Sequence, residues 1–261
     1  MCPKVEIGFD IGFKRLMHNL VIDIGNTYSK LAVFKQKELV HYQRLTTLDQ
    51  TNLLQLIDQY QVKNVTVSSV KQNINELATF LKQKINYISF TTAITAGVKN
   101  NYQSLDTLGL DRWAKVIAAH CLYPGQVCLM IDAGTCITYD VLNAESEYFG
   151  GSISLGINMR FKALNHYTGR LPLINWTNED EIIPQGTNTE NALKNGVLQG
   201  VINEIEGFIA LENKKNKALK VILTGGDADF LNKQLKNSIF ASQIKYDQYL
   251  VLKGLNEVIT L

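Results

Sequence analysis

The sequence predicts an α/β protein made of two similar halves, each a mixed sheet flanked by helices. Three observations carry that prediction. First, "VIDIGNT" (21–27) and "MIDAGT" (130–135) are near-repeats: an apolar lead-in, then Asp, a small or apolar residue, Gly and a Thr. Second, their acids, Asp23 and Asp132, stand 109 residues apart (132 − 23), the spacing of a duplicated unit. Third, each half opens on a run of strands and then alternates helix with strand, the order of a mixed-sheet α/β domain.

The elements follow in chain order. Residues 19–25, 28–36 and 38–44 are β-prone runs broken by turn residues and read as a strand meander. "TNLLQLIDQYQ" (51–61) has helical spacing at Leu53, Leu54, Leu56, Ile57 and Tyr60. "KNVTVSSV" (63–70) reads as a strand, and "NINELATFLKQK" (73–84) as a helix with Leu77, Phe80 and Leu81 on one side. A further helix starts at "DRWAKVIAAHCL", from Asp111. The second half repeats the order with strands at 126–134, 136–143 and 147–155, then a helix near 156–166. Residues 168–187, holding Pro172, Pro184 and Gly186, read as an irregular loop. The stretch 189–212 reads as a long helix, with Leu193, Val197, Val201, Ile205 and Phe208 roughly on one face. "KVILTGGDADF" (220–230) is a buried strand that enters a Gly turn and a helix. With 261 residues the chain divides into expected units at 17–122 and 123–261. Residues 1–16 are expected to be an N-terminal extension, because Met17 directly precedes the first strand and its motif.

Composition narrows the function classes. A hydrophobic fraction of 46% with 19% charged residues suits a globular protein with a real core. The net charge of +2 comes without a Lys/Arg block that could track a nucleic-acid backbone, so no nucleic-acid partner is expected. Cys2, Cys121, Cys128 and Cys136 lack paired CxxC spacing, which argues against a zinc site. No apolar run is long enough to span a bilayer, and the N-terminus has no signal-peptide core. The expectation is a cytoplasmic protein without a membrane partner.

The Gly turns suggest the chemistry. An acid ending a core strand is costly unless a cation or hydrogen bonds meet it. Three apolar strands end in such turns: "DIGNT" (23–27), "DAGT" (132–135) and "TGGD" (224–227). Glycine lets backbone approach a ligand closely, and freed N–H groups with a Thr hydroxyl can hold phosphate oxygens. A carboxylate beside them can hold Mg²⁺ directly or through water. A single turn of this kind could equally be ordinary hairpin chemistry; three together point to a phosphate site. There is no GxxxxGK[ST], so the phosphate site is not a P-loop.

This pattern resembles the acetate kinase–sugar kinase–Hsp70–actin superfamily. Within it, "DIGNTYSK" (23–30), "GLDR" (109–112), "DAGTCITYD" (132–140), "GGSISLGINMRFKAL" (150–164), "GTNTENALKNG" (186–196) and "TGGD" (224–227) fall in the order of the type III pantothenate kinases. The similarity runs through nearly the whole chain from Leu20. It implies duplicated actin-like, ribonuclease H-like domains with ATP in the cleft between them, and phosphorylation of pantothenate in the first step toward coenzyme A. It implies that Asp23, Ile24, Gly25, Asn26, Thr27, Tyr28, Ser29 and Lys30 form the first ATP-phosphate segment, with Asp23 near Mg²⁺. It further implies ATP contacts at Thr135 and Gly225, and pantothenate contacts at Tyr102, Gly109, Leu110, Asp111, Arg112 and Thr189. Asp111 matches the proton acceptor, and Asp132 the position of a monovalent cation, K⁺ or ammonium. The resemblance also implies a homodimer that builds the pocket across the subunit boundary. The chain departs from the usual pattern at Cys136 in place of Ala, at Leu155 in place of Pro, and in lacking Asn-Pro before "GLDR".

Read from the residues alone, Asp111 has a second reading as a helix-start acid favoured by the dipole, pairing with Lys115 at i+4. Arg112 is either a surface charge or an anchor for a substrate carboxylate. His18, His41, His120 and His166 are scattered and read as structural or surface residues, and Trp113 and Tyr123 as core or interface aromatics. Gly196 and Gly200 permit close helix approach, at a dimer seam or within the chain. Two other functions remain open at this point: a kinase of another small hydroxylated acceptor, and a nucleotide-binding regulatory accessory protein on the same fold.

Overall fold

The computed structural model describes residues 17–69, 74–179 and 182–260. The expected extension at 1–16 lies outside the described residues.

The first sheet is built from β1 (His18–Ile24), β2 (Ser29–Lys35), β3 (Glu38–Leu45), β4 (Val62–Ser69) and β5 (Asn86–Ser89), in the order β3-β2-β1-β4-β5. The meander β1–β3 is antiparallel, while β4 and β5 add in parallel to β1. The second sheet uses β7 (Cys128–Ala133), β8 (Cys136–Leu142), β9 (Glu147–Leu155), β10 (Lys220–Thr224) and β11 (Ile244–Tyr246). Its order, β9-β8-β7-β10-β11, repeats the first sheet strand for strand, with the two-residue β6 (Lys99–Asn100) added beside β9. Pairing senses repeat as well. In register, Asp23 lies beside Ser68 of β4, and Asp132 beside Thr224 of β10. The two acids therefore occupy equivalent places at the strand ends of equivalent sheets.

Three hydrophobic clusters order the layers. Helices α1 (Gln50–Tyr60) and α2 (Asn75–Lys82) cover the outer face of the first sheet, where Leu53, Leu56, Ile57 and Leu81 meet Leu20, Ile22 and Leu31. On the outer face of the second sheet lie α4 (Ile157–His166), α5 (Thr189–Lys215) and α6 (Ala228–Gln234). Between the sheets run α3 (Leu110–Leu122) and α7 (Leu250–Ile259), whose side chains join Val21 and Phe34 of one sheet to Met130 and Ile222 of the other. Capping is local chemistry: Asp49 and Asn188 accept from backbone N–H groups of Asn52 and Asn191 at the starts of α1 and α5.

The C-terminal α7 returns to pack on the N-terminal β1, and polar groups fix its seat. Asn86 donates to Asn64, Asn64 to Asn19, Asn19 to Asn256 of α7, and Asn256 to the carbonyl of Gln36. Each buried amide thereby meets a partner, which it must to avoid a desolvation cost. The helix pair α3–α7 approaches closely at Gly254, where a Cβ would overlap the Ala114 carbonyl oxygen.

The predicted elements are found with shifts of one to three residues at their ends, α5 running on to Lys215. The sequence reading assigned nothing to β5, β6, β11 or α7. The strands are short; α7, by contrast, does carry a helical pattern, with Lys253, Asn256 and Glu257 on one face and Leu250, Val251, Leu252, Leu255 and Val258 buried, and the sequence reading passed over it. Helix approach within the chain is not what Gly196 and Gly200 serve: a Cβ at either would meet nothing. Among the described residues, no helix is long and apolar enough to cross a membrane.

The α3–α7 contact gives a clear expectation. Gly254→Ala should destabilise the fold by about 1–3 kcal/mol, the usual cost of overpacking. Gly207→Ala, on α5 with open space around it, should be neutral or stabilising by up to about 1 kcal/mol. Denaturant unfolding of the two variants checks the contrast.

Candidate active site

The two acid-bearing turns are hairpins with their tips exposed and their acids withdrawn. In the first, Gly25 N–H donates to the Tyr28 carbonyl at 3.0 Å, while Asn26, Thr27 and Tyr28 face solvent. Asp23 sits beneath, only 7% exposed. In the second, Gly134 N–H donates to the Cys136 carbonyl at 3.0 Å, and Thr135 is exposed. The third turn folds against the second. Asp227 N–H donates to the Ala133 carbonyl at 2.9 Å, and Gly225 takes φ +106° with its Cα against Ala133 and Asp132. A side chain at 225 would be strained by its backbone angle and would strike Asp132 Oδ1.

Electrostatics join these segments. Burial pushes the Asp23 carboxyl up to about 6; Lys30, opposite it on β2, pulls it down, and the charges of Asp111 and Asp132 push it further up. Asp227 is likewise raised to about 6 by burial, against the pull of Arg44. Arg44 belongs to the first half and lies 3.6 Å over the Tyr28 ring, so the field at Asp227 reaches across the two halves. Among the described residues no ion pair closes on Asp23. A buried acid with no such partner, beside a Gly turn with free edges, fits a Mg²⁺–phosphate group. Among the described residues no three His, Cys, Asp or Glu side chains converge on one metal position, so such an ion would draw its other ligands from phosphate and water.

The third acid, Asp111, opens α3. Its Oδ1 accepts from the Arg112 N–H at 2.8 Å and folds back over Gly109, where a Cβ would come within 2.5 Å of it. Gly109 is therefore a steric requirement for this posture. The two residues that follow on the same helix anchor it. Arg112 is buried and reaches Asp140 of β8, with Nε at 3.0 Å and Nη2 at 2.6 Å from Oδ1. Tyr148 also donates to Asp140 Oδ1, at 2.7 Å. Lys115 is 0% exposed and donates to Asp132 Oδ2 at 2.9 Å and to Thr138 Oγ1 at 2.8 Å, with Asp140 Oδ2 at 3.7 Å. Burial alone would lower the Lys115 pKa, but Asp132, Asp140 and Asp111 raise it above its ordinary value. Burial would raise Asp132, yet Lys115 and Lys30 hold it below the usual carboxylate range.

The expected site residues thus divide. Asp23, Lys30, Asp111, Asp132 and Gly225 are brought together. Arg112 is not a surface charge; it spends its guanidinium on Asp140. Lys115 turns into the second sheet toward Asp132, not outward to Asp111. Tyr102 lies beside them, its ring stacked on Tyr148 at 6.1 Å and 5.5 Å from the Arg112 guanidinium carbon. Leu110 is half-buried at the helix start. Thr189 stands apart at the exposed first turn of α5, in the outer helix layer. The sequence reading missed Lys115 and Asp140 as site supports. A charge within an apolar helix face and an acid within an apolar strand were the available signals.

A duplicated mixed-sheet fold whose paired strand-end acids meet at Gly turns is that of the actin-like kinases and ATPases. A family model for type III pantothenate kinase matches residues 19–211. The type III pantothenate kinase of Phocaeicola vulgatus is 41% identical over 243 residues, covering 93% of this chain and 98% of the relative. That of Bacteroides fragilis is 41% identical over 245 residues, covering 92% and 97%. The chain belongs to the type III pantothenate kinase family. Among solved structures, a Campylobacter jejuni protein assigned to the Baf family of transcriptional activators shares the fold, with TM-score 0.59, 24% identity and coverage of 92% and 97%. So does the ADPNP-bound activator of 2-hydroxyisocaproyl-CoA dehydratase from Clostridium difficile, with TM-score 0.52, 13% identity and coverage of 93% and 92%.

Asp23 gives a pH-dependent expectation. With its folded pKa raised from 3.8 to about 6, the native state holds a proton that the unfolded state has already released. Stability is therefore lost as pH rises between those values and stays lost above about 6. Asp23→Asn should stabilise the ligand-free protein at neutral pH, by at most about 3 kcal/mol. The gain should fade below about pH 4, where both forms of the wild-type residue are neutral. Melting temperatures of the two proteins across pH check the sign, and Mg·ATP binding should be lost in the variant.

Proposed function

We propose that this chain transfers the γ-phosphoryl group of ATP to pantothenate, giving phosphopantothenate in the first step of coenzyme A biosynthesis. The observation that carries the reading is the meeting of Asp23, Asp111 and Asp132, from three separated segments, at the mouth between equivalent turns. The first segment, Asp23 to Lys30, cradles the nucleotide phosphates together with Thr135 and Gly225. A magnesium ion beside Asp23 would neutralise charge on the transferred group, which is most of what phosphoryl transfer asks of a protein.

Asp111 accepts the proton of the substrate hydroxyl. Its carboxylate keeps one oxygen on the Arg112 N–H, and Gly109 leaves it room. Tyr102 and the Gly109–Arg112 turn form the substrate side of the pocket. Thr189 completes it from a second subunit. Support for a homodimer comes from the outer face of the second half. Phe149, Ile153 and Leu155 of β9 are exposed, as is Tyr167 at the end of α4. A groove of about 610 Å³ between α4 and α5 continues this surface past Gly196. A second copy of the chain covers it, and the Gly196–Gly200 stretch belongs to that seam. We place the reaction in the cytoplasm, which keeps thiols such as Cys121, Cys128 and Cys136 reduced.

The family resemblance assigns a monovalent cation to Asp132. Here Asp132 Oδ2 is already held by the Lys115 ammonium. The lysine thus already supplies Asp132 with a monovalent cationic partner, leaving its Oδ1 at the partly exposed edge.

The direct assay is purified protein with ATP, Mg²⁺ and pantothenate, watching for ADP and phosphopantothenate. Absence of product, with Mg·ATP still bound, would overturn the substrate assignment. Asp111→Asn should lower turnover by about 10²–10⁴-fold, the usual range for a general base. ATP affinity should hardly move, and stability should change by only about 0.3–1 kcal/mol. Near-normal turnover would leave Asp111 as a helix-start acid.

The shared pocket has its own test. Chains carrying Asp111→Asn and chains carrying Thr189→Arg are each expected to be inactive. Mixed under conditions of proven subunit exchange, they should regain part of the activity, because some pockets then carry neither change. No recovery would mean that each pocket is built within one chain.

A further inference from the structure

Four charges meet between α3 and the second sheet: Arg112 and Lys115 from the helix, Asp132 and Asp140 from the strands, all buried except Asp132, whose side chain is 21% exposed. They balance two against two. Asp140 takes the bidentate grip of Arg112 and the Tyr148 hydroxyl. That leaves Lys115 as the cation of Asp132. Its ammonium has three hydrogen atoms to donate, and three oxygens surround it: Asp132 Oδ2 at 2.9 Å, Thr138 Oγ1 at 2.8 Å and Asp140 Oδ2 at 3.7 Å. The other oxygen of Asp132 lies on the Gly225 side, where a Cβ would come within 2.6 Å of it, and the lysine does not reach it.

An ammonium is a compact point charge, close in size to a potassium ion, and the two seek the same oxygen donors. A free K⁺ or NH₄⁺ drawn to Asp132 would compete with the lysine at Oδ2 or be left with Oδ1 alone. It would also stand beside a buried like charge, an arrangement that proteins avoid. The lysine needs no filling from solution: it is covalently fixed on the helix that also carries Asp111, one turn earlier.

We propose that the Lys115 ammonium is the resident monovalent cation of this site, and that the protein works without K⁺ or NH₄⁺ from solution. The inference rests on the kinase reading, but it makes a claim about Asp132 that can be read without turnover. Removing the lysine side chain leaves the quartet one positive charge short and opens a space lined by Asp132, Thr138 and Asp140. A solution cation should then enter.

The experiment compares KCl and NH₄Cl with choline chloride at equal ionic strength, since choline is too large for the seat. Three readouts are followed: melting temperature, affinity for Mg·ADP, and turnover with Mg·ATP and pantothenate. For the wild-type protein, all three should agree among the salts, turnover within twofold. For Lys115→Ala, K⁺ and NH₄⁺ should raise the melting temperature and nucleotide affinity in a saturable way that choline does not reproduce. A saturable rise of wild-type melting temperature, nucleotide affinity or turnover with K⁺ or NH₄⁺ overturns the proposal. So does a folded Lys115→Ala protein that is blind to those ions. If Lys115→Ala does not fold in any salt, the wild-type comparison decides alone. Turnover absent in every salt would count against the pantothenate reading, while the melting and nucleotide readouts still test the lysine.

Discussion

The buried pairing of α3 with the second sheet is the interaction on which the site depends. Burying Arg112, Lys115 and Asp140 has a large desolvation cost, with Asp132 only partly exposed, so the group is weak evidence for stability by itself. Once it is made, however, removing one member strands its partner, at a cost of about 3–5 kcal/mol. Arg112 on Asp140 and Lys115 on Asp132 therefore fix both the rotation and the depth of α3. Asp111 stands next to one of these residues and one turn before the other, so its place near Asp23 is set by the ion pairs of its neighbours on the helix. The same lysine holds Asp132, so the second Gly turn and the proposed base share one anchor.

The remainder of the fold supports that central layer. Each sheet carries its acid at a strand end, but the two sheets must be held face to face for the acids to sense one another. Helices α3 and α7 do this from between them. Gly254 sets how closely they approach, and the asparagine chain from Asn86 to Asn256 binds α7 back onto the first sheet. The raised Asp23 carboxyl is a consequence. It sits between a core that excludes water and two acids from the other segments, a state that a bound cation would relieve.

Much of the site was legible in the chain because it is written locally. A strand followed by Asp, Gly and Thr is a contiguous signal, and its recurrence at Asp132 announced the duplication that the two sheet orders then displayed. The acid that opens α3 was equally visible, as was the Gly two residues before it. Not every local pattern was read. The α7 segment "LVLKGLNEVI" places Lys253, Asn256 and Glu257 at helical spacing among apolar residues, a signal weakened only by its shortness and the glycine in its middle. Gly196 and Gly200 looked like packing notches, yet within this chain they pack against nothing.

The sequence by itself determined the two-fold repeat, the strand-end acids, the three Gly turns and the family to which they belong, because each is a short run whose spacing carries the chemistry. Only the tertiary structure decided what each charge does. Arg112 finds Asp140 across 28 residues, and Lys115 finds Asp132 across 17 and Thr138 across 23. Those partners lie on a different sheet layer, reached by three-dimensional packing and not by periodicity. A lysine four residues after an aspartate reads as a surface helix pair. It becomes a buried cation because the helix face that carries it is pressed against a strand ending in Asp132.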